Sequence, residues 1–388
     1  MQNTKDSSLR HSASSANSAF SSPITYVLPT RHRPEILSRT LAALGALPRH
    51  DAEVIIVDNA SDRLPKVERT LANGIGTRVI GLDENAGAAA RNVGVHASDP
   101  ASKWIVMLDD DSHPISTDFV GVLGGMAGDV LAVSADIHLP AERRREDGGL
   151  PEVFIGCGVA IRRDAFLASG GYDPAFNYYA EEYDLAARLM LMGGRVVFEH
   201  RFVVHHHKVT AGRDKGVILG RLIRNNGWVT QRYAPEERRR AELRHLRARY
   251  RAIAEKEGVT EGFGAGLVEL KRTIRGQTRR AMTPEMHDRF TGAAQALEAV
   301  RHAMWERAFR TAAVIARGKN DWAVERALFE CGVSIACDPG EAEVLVIGTM
   351  SPGPMIDGVL RAAGEMRSQR IIAPWRTAAS LKTGRHAA

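Results

Sequence analysis

The chain has 388 residues, 44% of them hydrophobic and 25% charged, which excludes a disordered polypeptide or a small stapled scaffold and leaves room for two or three domains. Three cysteines, Cys157, Cys331 and Cys337, are too few for a disulfide framework and lack the paired spacing of a thiolate zinc cage, so a reducing compartment is expected; the apolar runs fall well short of the roughly 20 residues that span a bilayer. The net charge of +6 is uneven: residues 201–320 carry 26 Lys/Arg against 12 Asp/Glu and leave the rest net negative, a balance suited to nucleic acid, anionic lipid, a phosphate-bearing substrate or simply solvated helix faces.

Residues 1–22, rich in Ser, Ala and Asn with no apolar core, are expected to be a disordered tail rather than a signal peptide. From 23 to 215, strand-length apolar runs alternate with amphipathic segments, which predicts an α/β domain with a mainly parallel sheet. The predicted strands are Ile24–Leu28, Val54–Val57, Arg78–Leu82, Trp104–Leu108 and Leu131–Ala135, then a pair at Val196–Phe198 and Phe202–Val204. One helix starts after Pro34. Another starts near Ala86, and its Ala88, Ala89 and Ala90 allow close packing on a sheet. Residues 216–320 read as a basic helical region that includes Glu236–Glu257 and Met286–Ile315. Residues 321–388 read as a small α/β appendix, with a helix from Trp322, strands at Val333–Ala336, Val344–Ile347 and Arg370–Ala373, and a helix at Met355–Met366.

The first strand ends in Pro29-Thr30-Arg31, the second in Asp58-Asn59-Ala60-Ser61-Asp62, and the fourth in Asp109-Asp110-Asp111. In an open parallel sheet, ligands bind in the crevice beyond such carboxyl ends. Three consecutive acids repel one another. Either a divalent cation of the Mg²⁺ or Mn²⁺ kind relieves them, with Asp109 and Asp111 aimed at it, or they form a solvated turn. Glu181-Glu182-Tyr183-Asp184 either caps the helix that follows or presents a general base. In His205-His206-His207, strand alternation sends neighbours to opposite faces, so at most one or two can reach one site. The loop Ala141–Pro151, with Arg143-Arg144-Arg145, is either an ordinary surface loop or a mobile one beside the cleft.

Val27-Leu28-Pro29-Thr30 with Arg33, Val57 to Asp62, Asn85-Ala86-Gly87, Arg91-Asn92-Val93-Gly94, the acidic triplet, Gly156 to Arg163, Gly170-Gly171-Tyr172-Asp173, the Glu pair and the histidines follow one another in an order that resembles family 2 glycosyltransferases of the GT-A fold. The resemblance covers roughly residues 23–215. It implies inverting transfer of a sugar from a nucleotide diphosphate donor to an acceptor hydroxyl. Pro29, Thr30, Arg33, Asp58, Arg91, Asp109 and Asp110 would then lie at the nucleotide, and Asp109, Asp111 and His206 would hold Mg²⁺ or Mn²⁺. Glu182 or Glu181 would be the base, Glu182 standing where the family usually has Asp.

The implied role is synthesis of a cell-surface polysaccharide or glycolipid by a cytoplasmic enzyme. Its acceptor would be a glycan or a lipid-linked glycan. The basic helices, with Arg224-Asn225-Asn226-Gly227-Trp228, are expected to touch an anionic membrane peripherally. Three rival readings are a nucleotidyltransferase, disfavoured by the lack of glycine in Pro29 to Arg33, an inactive nucleotide-sugar-binding domain, and a nucleic-acid-binding protein. The last leaves the acidic triplet unexplained, and no nucleic acid is expected as a partner.

Overall fold

The computed structural model describes residues 23–146, 152–208, 214–318, 320–350, 352–365 and 369–375. The expected tail at 1–22 and the second half of the 141–151 loop lie outside the described residues. The first region runs β1 (Ile24–Thr30), α1 (Pro34–Ala46), β2 (Ala52–Asp58), β3 (Gly76–Gly81), α2 (Ala90–Ala97), β4 (Trp104–Met107), β5 (Ser112–Pro114), α3 (Asp118–Gly124) and β6 (Val130–Leu139). It continues with β7 (Arg144–Arg145), β8 (Val159–Arg162), α4 (Arg163–Ser169), α5 (Glu181–Leu191) and β9 (Arg195–His206). Five helices follow: α6 (Lys215–Tyr233), α7 (Glu236–Glu257), α8 (Thr260–Thr273), α9 (Pro284–Thr291) and α10 (Ala293–Glu306). The chain then forms β10 (Thr311–Ile315), α11 (Trp322–Glu330), β11 (Ser334–Ile335), β12 (Val344–Ile347), α12 (Pro352–Glu365) and β13 (Arg370–Ile372).

The first nine strands form one sheet in the order β3-β2-β1-β4-β8-β6-β9-β5, with β7 on β6. Strands β3 to β4 are parallel, β8 runs antiparallel to both its neighbours, and β5 is antiparallel to β9. Runs such as Val-Ile-Ile-Val and Trp-Ile-Val-Met are continuously apolar because helices cover both faces. On one face, Tyr26, Leu28, Val106 and Phe202 pack with Leu37, Leu41 and Leu44 of α1 and with Phe119 and Leu123 of α3. On the other, Val27, Val57, Met107 and Ile161 pack with α2, α4 and α5. That second core runs on without a break through α6 to α10 and into β10 and β12.

Strand order reverses between β1 and β4, so the ends of β1, β2 and β4 open on one crevice, the kind of switch point where ligands bind in open α/β sheets. Helix α2 reaches this crevice only because Gly94 has no side chain: a Cβ there would lie 2.5 Å from Val27 Cγ1 and 3.1 Å from Val57 Cγ2.

Several elements differ from the sequence reading. The two runs at Val196–Phe198 and Phe202–Val204 are one strand, β9, whose pairing with β6 jumps from Ala135↔Glu199 to Asp136↔Val203. The short strands β5 and β8 have no counterpart in the sequence reading; β5 directly follows the acidic triplet and β8 lies within the quoted Gly156–Arg163 stretch. Thr311–Ile315, read as the end of a helical segment, is a strand of the second sheet, which is parallel throughout in the order β11-β10-β12-β13. Its Thr-Ala-Ala-Val-Ile follows α10 closely, and its alanines suit either structure.

The segment Arg224–Trp228, expected at a membrane surface, is instead turned inward. Asn225 is fully buried and donates to the carbonyls of Phe176, Tyr178 and Tyr179, while Arg224 bonds Glu269 at 2.7 Å and lies over the Trp228 ring. Among the described residues no helix is long and apolar enough to cross a membrane.

The Gly94 contact gives a direct test. Gly94→Val should cost about 1–3 kcal/mol through overpacking, measured as a lower denaturant midpoint at unchanged secondary-structure content.

Candidate active site

Each of the three consecutive acids after β4 is sent to a different partner. Asp109 takes the buried guanidinium of Arg91 in a short contact. Asp110 accepts from Thr30 Oγ1 at 2.8 Å and from Arg33 Nη1 at 3.2 Å, and its own carbonyl accepts from Thr40 Oγ1 at 2.6 Å. Burial pushes the Asp110 carboxyl up to about 6, against the pull of Thr30 and Arg33. Asp111, also buried, stands 3.3 Å from His206 Nε2 and 3.7 Å from Arg33.

His206 sits between carboxylates. Its Nδ1 lies 3.0 Å from Glu146 Oε2, and Lys208 Nζ holds the other Glu146 oxygen at 2.9 Å. Cys157 Sγ is 3.5 Å from the same Nδ1. Burial would lower the imidazole, but contacts with Cys157, Asp111 and Glu146 outweigh it and raise the ring to about 12. Burial also pushes the Cys157 thiol up to about 11. Cys157 is therefore neutral at ordinary pH, and the two carboxylates are what hold the charge on His206.

One donor atom each from Asp109, Cys157 and His206 lies within 4.8 Å of the others, and Asp111 adjoins His206. With the thiol protonated, the donors are carboxylate oxygens and, where the ion replaces the proton on His206 Nε2, an imidazole nitrogen, a set that accommodates Mn²⁺ or Mg²⁺. Glu146 on Nδ1 orients the ring so that Nε2 faces Asp111, as a carboxylate does behind many metal-ligating histidines. The residues therefore fit a divalent ion.

The base candidates open α5. Glu182 Oε1 accepts the Gly156 N–H at 3.4 Å, and the carbonyl of Gly156 lies 3.5 Å from Arg91 Nη2, the atom that holds Asp109. Burial raises the carboxyls of both Glu181 and Glu182, and for Glu181 the neighbouring Glu182 adds to it. Glu181 is buried, with Oε2 lacking a hydrogen-bond partner.

At the end of β2, Asp58 is buried opposite Thr30. Its Oδ2 accepts the Ser61 N–H at 2.9 Å, and its Oδ1 is buried without a partner, a group that a nucleobase donor would satisfy. Pro29 lies buried within β1 opposite Val57. One connected cluster thus holds Thr30, Arg33, Arg91, Asp109, Asp110, Asp111, Glu182 and His206, with Asp58 at its edge.

Several supporting residues carry no mark in the sequence reading. Asn59 donates to the Gly87 carbonyl and accepts from Ala86 N, fixing the Asn85-Ala86-Gly87 turn. Gly87 has φ +59°, and a Cβ there would meet the Asn177 carbonyl oxygen at 2.6 Å. Asn92 clamps the backbone of Tyr172 with both amide atoms. Asn59 and Asn92 stood inside quoted motifs without a role. Glu146 lies in the Ala141–Pro151 loop singled out in the sequence but was given no role there; its meeting with His206, 60 residues away, is what marks it.

Glu146 offers a pH test. Burial would raise its carboxyl, but the bonds and charges of His206 and Lys208 hold it at about 2, below the ordinary 4.5. Its contribution is thus complete above about 4.5 and is lost as pH falls towards 2. Glu146→Gln should destabilise by about 1.5–3 kcal/mol at pH 7, the range for hydrogen bonds to charged groups. The gap to wild type should narrow through acid pH in denaturant titrations.

Residues 25–123, from β1 into α3, match the model of glycosyl transferase family 2. No curated protein matches the chain in sequence. Among solved structures, similarity is found to a mannosyltransferase from Pyrobaculum calidifontis in complex with GDP-Man and Mn²⁺, at 18% identity and TM-score 0.43, covering 74% of this chain and 83% of that one. S. aureus TarS 1–349 in complex with UDP-GlcNAc is similar at 13% identity and TM-score 0.48, covering 74% and 88%. GalNAc-T7 with UDP, GalNAc and Mn²⁺ is similar at 17% identity and TM-score 0.46, covering 66% of this chain and 57% of that one. The matched stretch contains Asp58, Arg91 and the whole acidic triplet, so the part of the chain that is similar to glycosyl transferase family 2 is the part that opens on the crevice.

Proposed function

We propose that this glycosyltransferase moves a hexosyl or deoxyhexosyl group from a nucleotide diphosphate donor to an acceptor hydroxyl in one displacement that inverts the anomeric carbon. The observation that carries the reading is the buried network that joins the candidate metal ligands to the candidate base: Asp111 to His206 on one side, and Asp109 through Arg91 and Gly156 to Glu182 on the other.

Asp58 takes the nucleobase through its unpartnered oxygen, and Thr30, Arg33 and Asp110 shape the floor beside it. Asp109, Asp111 and His206 would hold the divalent ion, which would supply positive charge against that developing on the diphosphate as the glycosidic C–O bond breaks. Glu182 accepts the proton of the attacking hydroxyl. Its side-chain oxygen lies at Gly156, on the Asp109 side, which supports it over Glu181; Glu181, with Oε2 unpartnered and its carboxyl raised by burial and by Glu182, is suited to sharing that proton. A single displacement needs one base and forms no covalent sugar intermediate. As the acceptor we propose a cell-surface polysaccharide or lipid-linked glycan, reached from the cytoplasmic side of the membrane.

A panel of UDP-, GDP- and dTDP-sugars with Mn²⁺ or Mg²⁺, scored by thermal shift and donor hydrolysis, tests the donor class. One donor should stabilise the protein only when the metal is present; no response to any donor would overturn the reading. Asp111→Ala should abolish that metal-dependent shift. Glu182→Gln should keep it and lower turnover by about 10²–10⁴-fold, the usual range for general-base catalysis, and turnover equal to wild type would move the base elsewhere. Because burial raises the Glu182 carboxyl and the base must be ionised, the acid limb of kcat should lie above the ordinary glutamate range.

A further inference from the structure

Alternation along β9 puts His206 on the face with Asp111 and sends His205 and His207 to the other. Strand β5 lies antiparallel beside it, with His113 directly opposite His205 and Ser112 opposite His206. The result is a group of three imidazoles on the side away from the carboxylates. The His113 and His207 rings stack at 5.5 Å, and His205 meets both edge-on at 5.9 and 6.2 Å. One ring nitrogen from each of the three lies within 4.8 Å of the others. A fourth ring, His138 of β6, pairs with His205 across the sheet at 6.4 Å, and its Nε2 is 3.2 Å from Asp136 Oδ2.

Imidazoles crowded in this way cannot all carry charge without mutual repulsion. As neutral rings they offer three nitrogen donors and no oxygen, a set that suits zinc, cobalt, nickel or copper rather than Mg²⁺ or Mn²⁺. His113 Nδ1 lies 3.1 Å from the Pro114 carbonyl oxygen. Donation there fixes the tautomer and leaves Nε2 with its lone pair free, the arrangement found behind metal-ligating histidines. Zinc–nitrogen bonds of 2.0–2.1 Å place tetrahedral ligands about 3.4 Å apart, so donors that lie within 4.8 Å of one another need close by at most about 1.4 Å. His207 is exposed and His113 and His205 are half-buried, which gives an ion direct entry and leaves a fourth position to water.

We propose that His113, His205 and His207 form a second metal site, for a zinc-class ion, on the face of the β5–β9 ribbon opposite the carboxylate cluster. An ion there ties β5 to β9. It thereby fixes Asp111, whose carbonyl accepts the His207 N–H at 2.8 Å, against His206. The site stands whether or not the proposed sugar transfer is correct.

The test uses the full chain without an oligohistidine tag, stripped by chelator and titrated with Zn²⁺ against a chromophoric competitor. Wild type should bind one ion at this site. His207→Ala, at an exposed position that does not threaten the fold, should weaken that ion beyond the 10–100-fold that loss of an outer-shell partner costs. His113→Ala should do the same, and Asp111→Ala should retain the ion. With Co²⁺ as probe, the visible absorption of an imidazole-bound ion should appear in wild type and in Asp111→Ala and vanish in His207→Ala. Unchanged Zn²⁺ affinity in both histidine variants would overturn the proposal, as would loss of the ion in Asp111→Ala alone, which would assign it to the carboxylate cluster.

Discussion

Three negative charges in a row at the end of β4 dominate the electrostatics of this protein. Side by side at the mouth of a low-dielectric crevice they would repel strongly, and the fold answers with counterparts for all three, Arg33 being shared by Asp110 and Asp111. Arg91 on α2 meets Asp109, Thr30 and Arg33 at the end of β1 meet Asp110, and His206 at the end of β9 meets Asp111. These counterparts come from three elements on different sides of β4. Neutralising the triplet therefore requires β1, α2 and β9 to be in place together, and the site exists only in the folded state.

Polar side chains that bond to backbone hold this assembly in shape. Asn59 pins the turn before α2, Asn92 pins the loop before α5, and Asn225 gathers three carbonyls of the Phe176–Tyr179 segment from the far helix α6. The helical region is thus more than an appendage to the sheet. Through Asn225 and Arg224 it supports the stretch that leads into Glu181 and Glu182, and so sets where the candidate base sits. Amides that bond to backbone groups specify position without adding charge.

What could be read in the sequence followed from periodicity and from clustering. Continuous apolar runs gave β1, β2 and β4 their places, and polar residues just beyond them marked the crevice before any coordinates. The separation of His206 from its two neighbours also followed from strand alternation alone. Long-range pairing was not legible: Glu146 meets His206 across 60 residues and Asn225 meets Tyr178 across 47, and although both stand in stretches picked out in the sequence, nothing local names their partners. Elements of three to five residues, β5, β8 and β10, are too short to show a period. The inward turn of Arg224 to Trp228 was hidden because an arginine beside a tryptophan looks the same in sequence whether it faces lipid or, as here, stacks within the core.

The irregularity in β9 has a further corollary. Between Glu199 and Val203 the strand advances four residues while β6 advances one, an excess of three. Residues 200–202 stand outside the pairing, so the face that His206 presents is set beyond them, where Val203 takes up register on Asp136 and β5 pairs Ser112 with His206 from the other side. The irregularity thus uncouples the histidine end of β9 from the register of its first half, leaving two neighbouring strands to hold it.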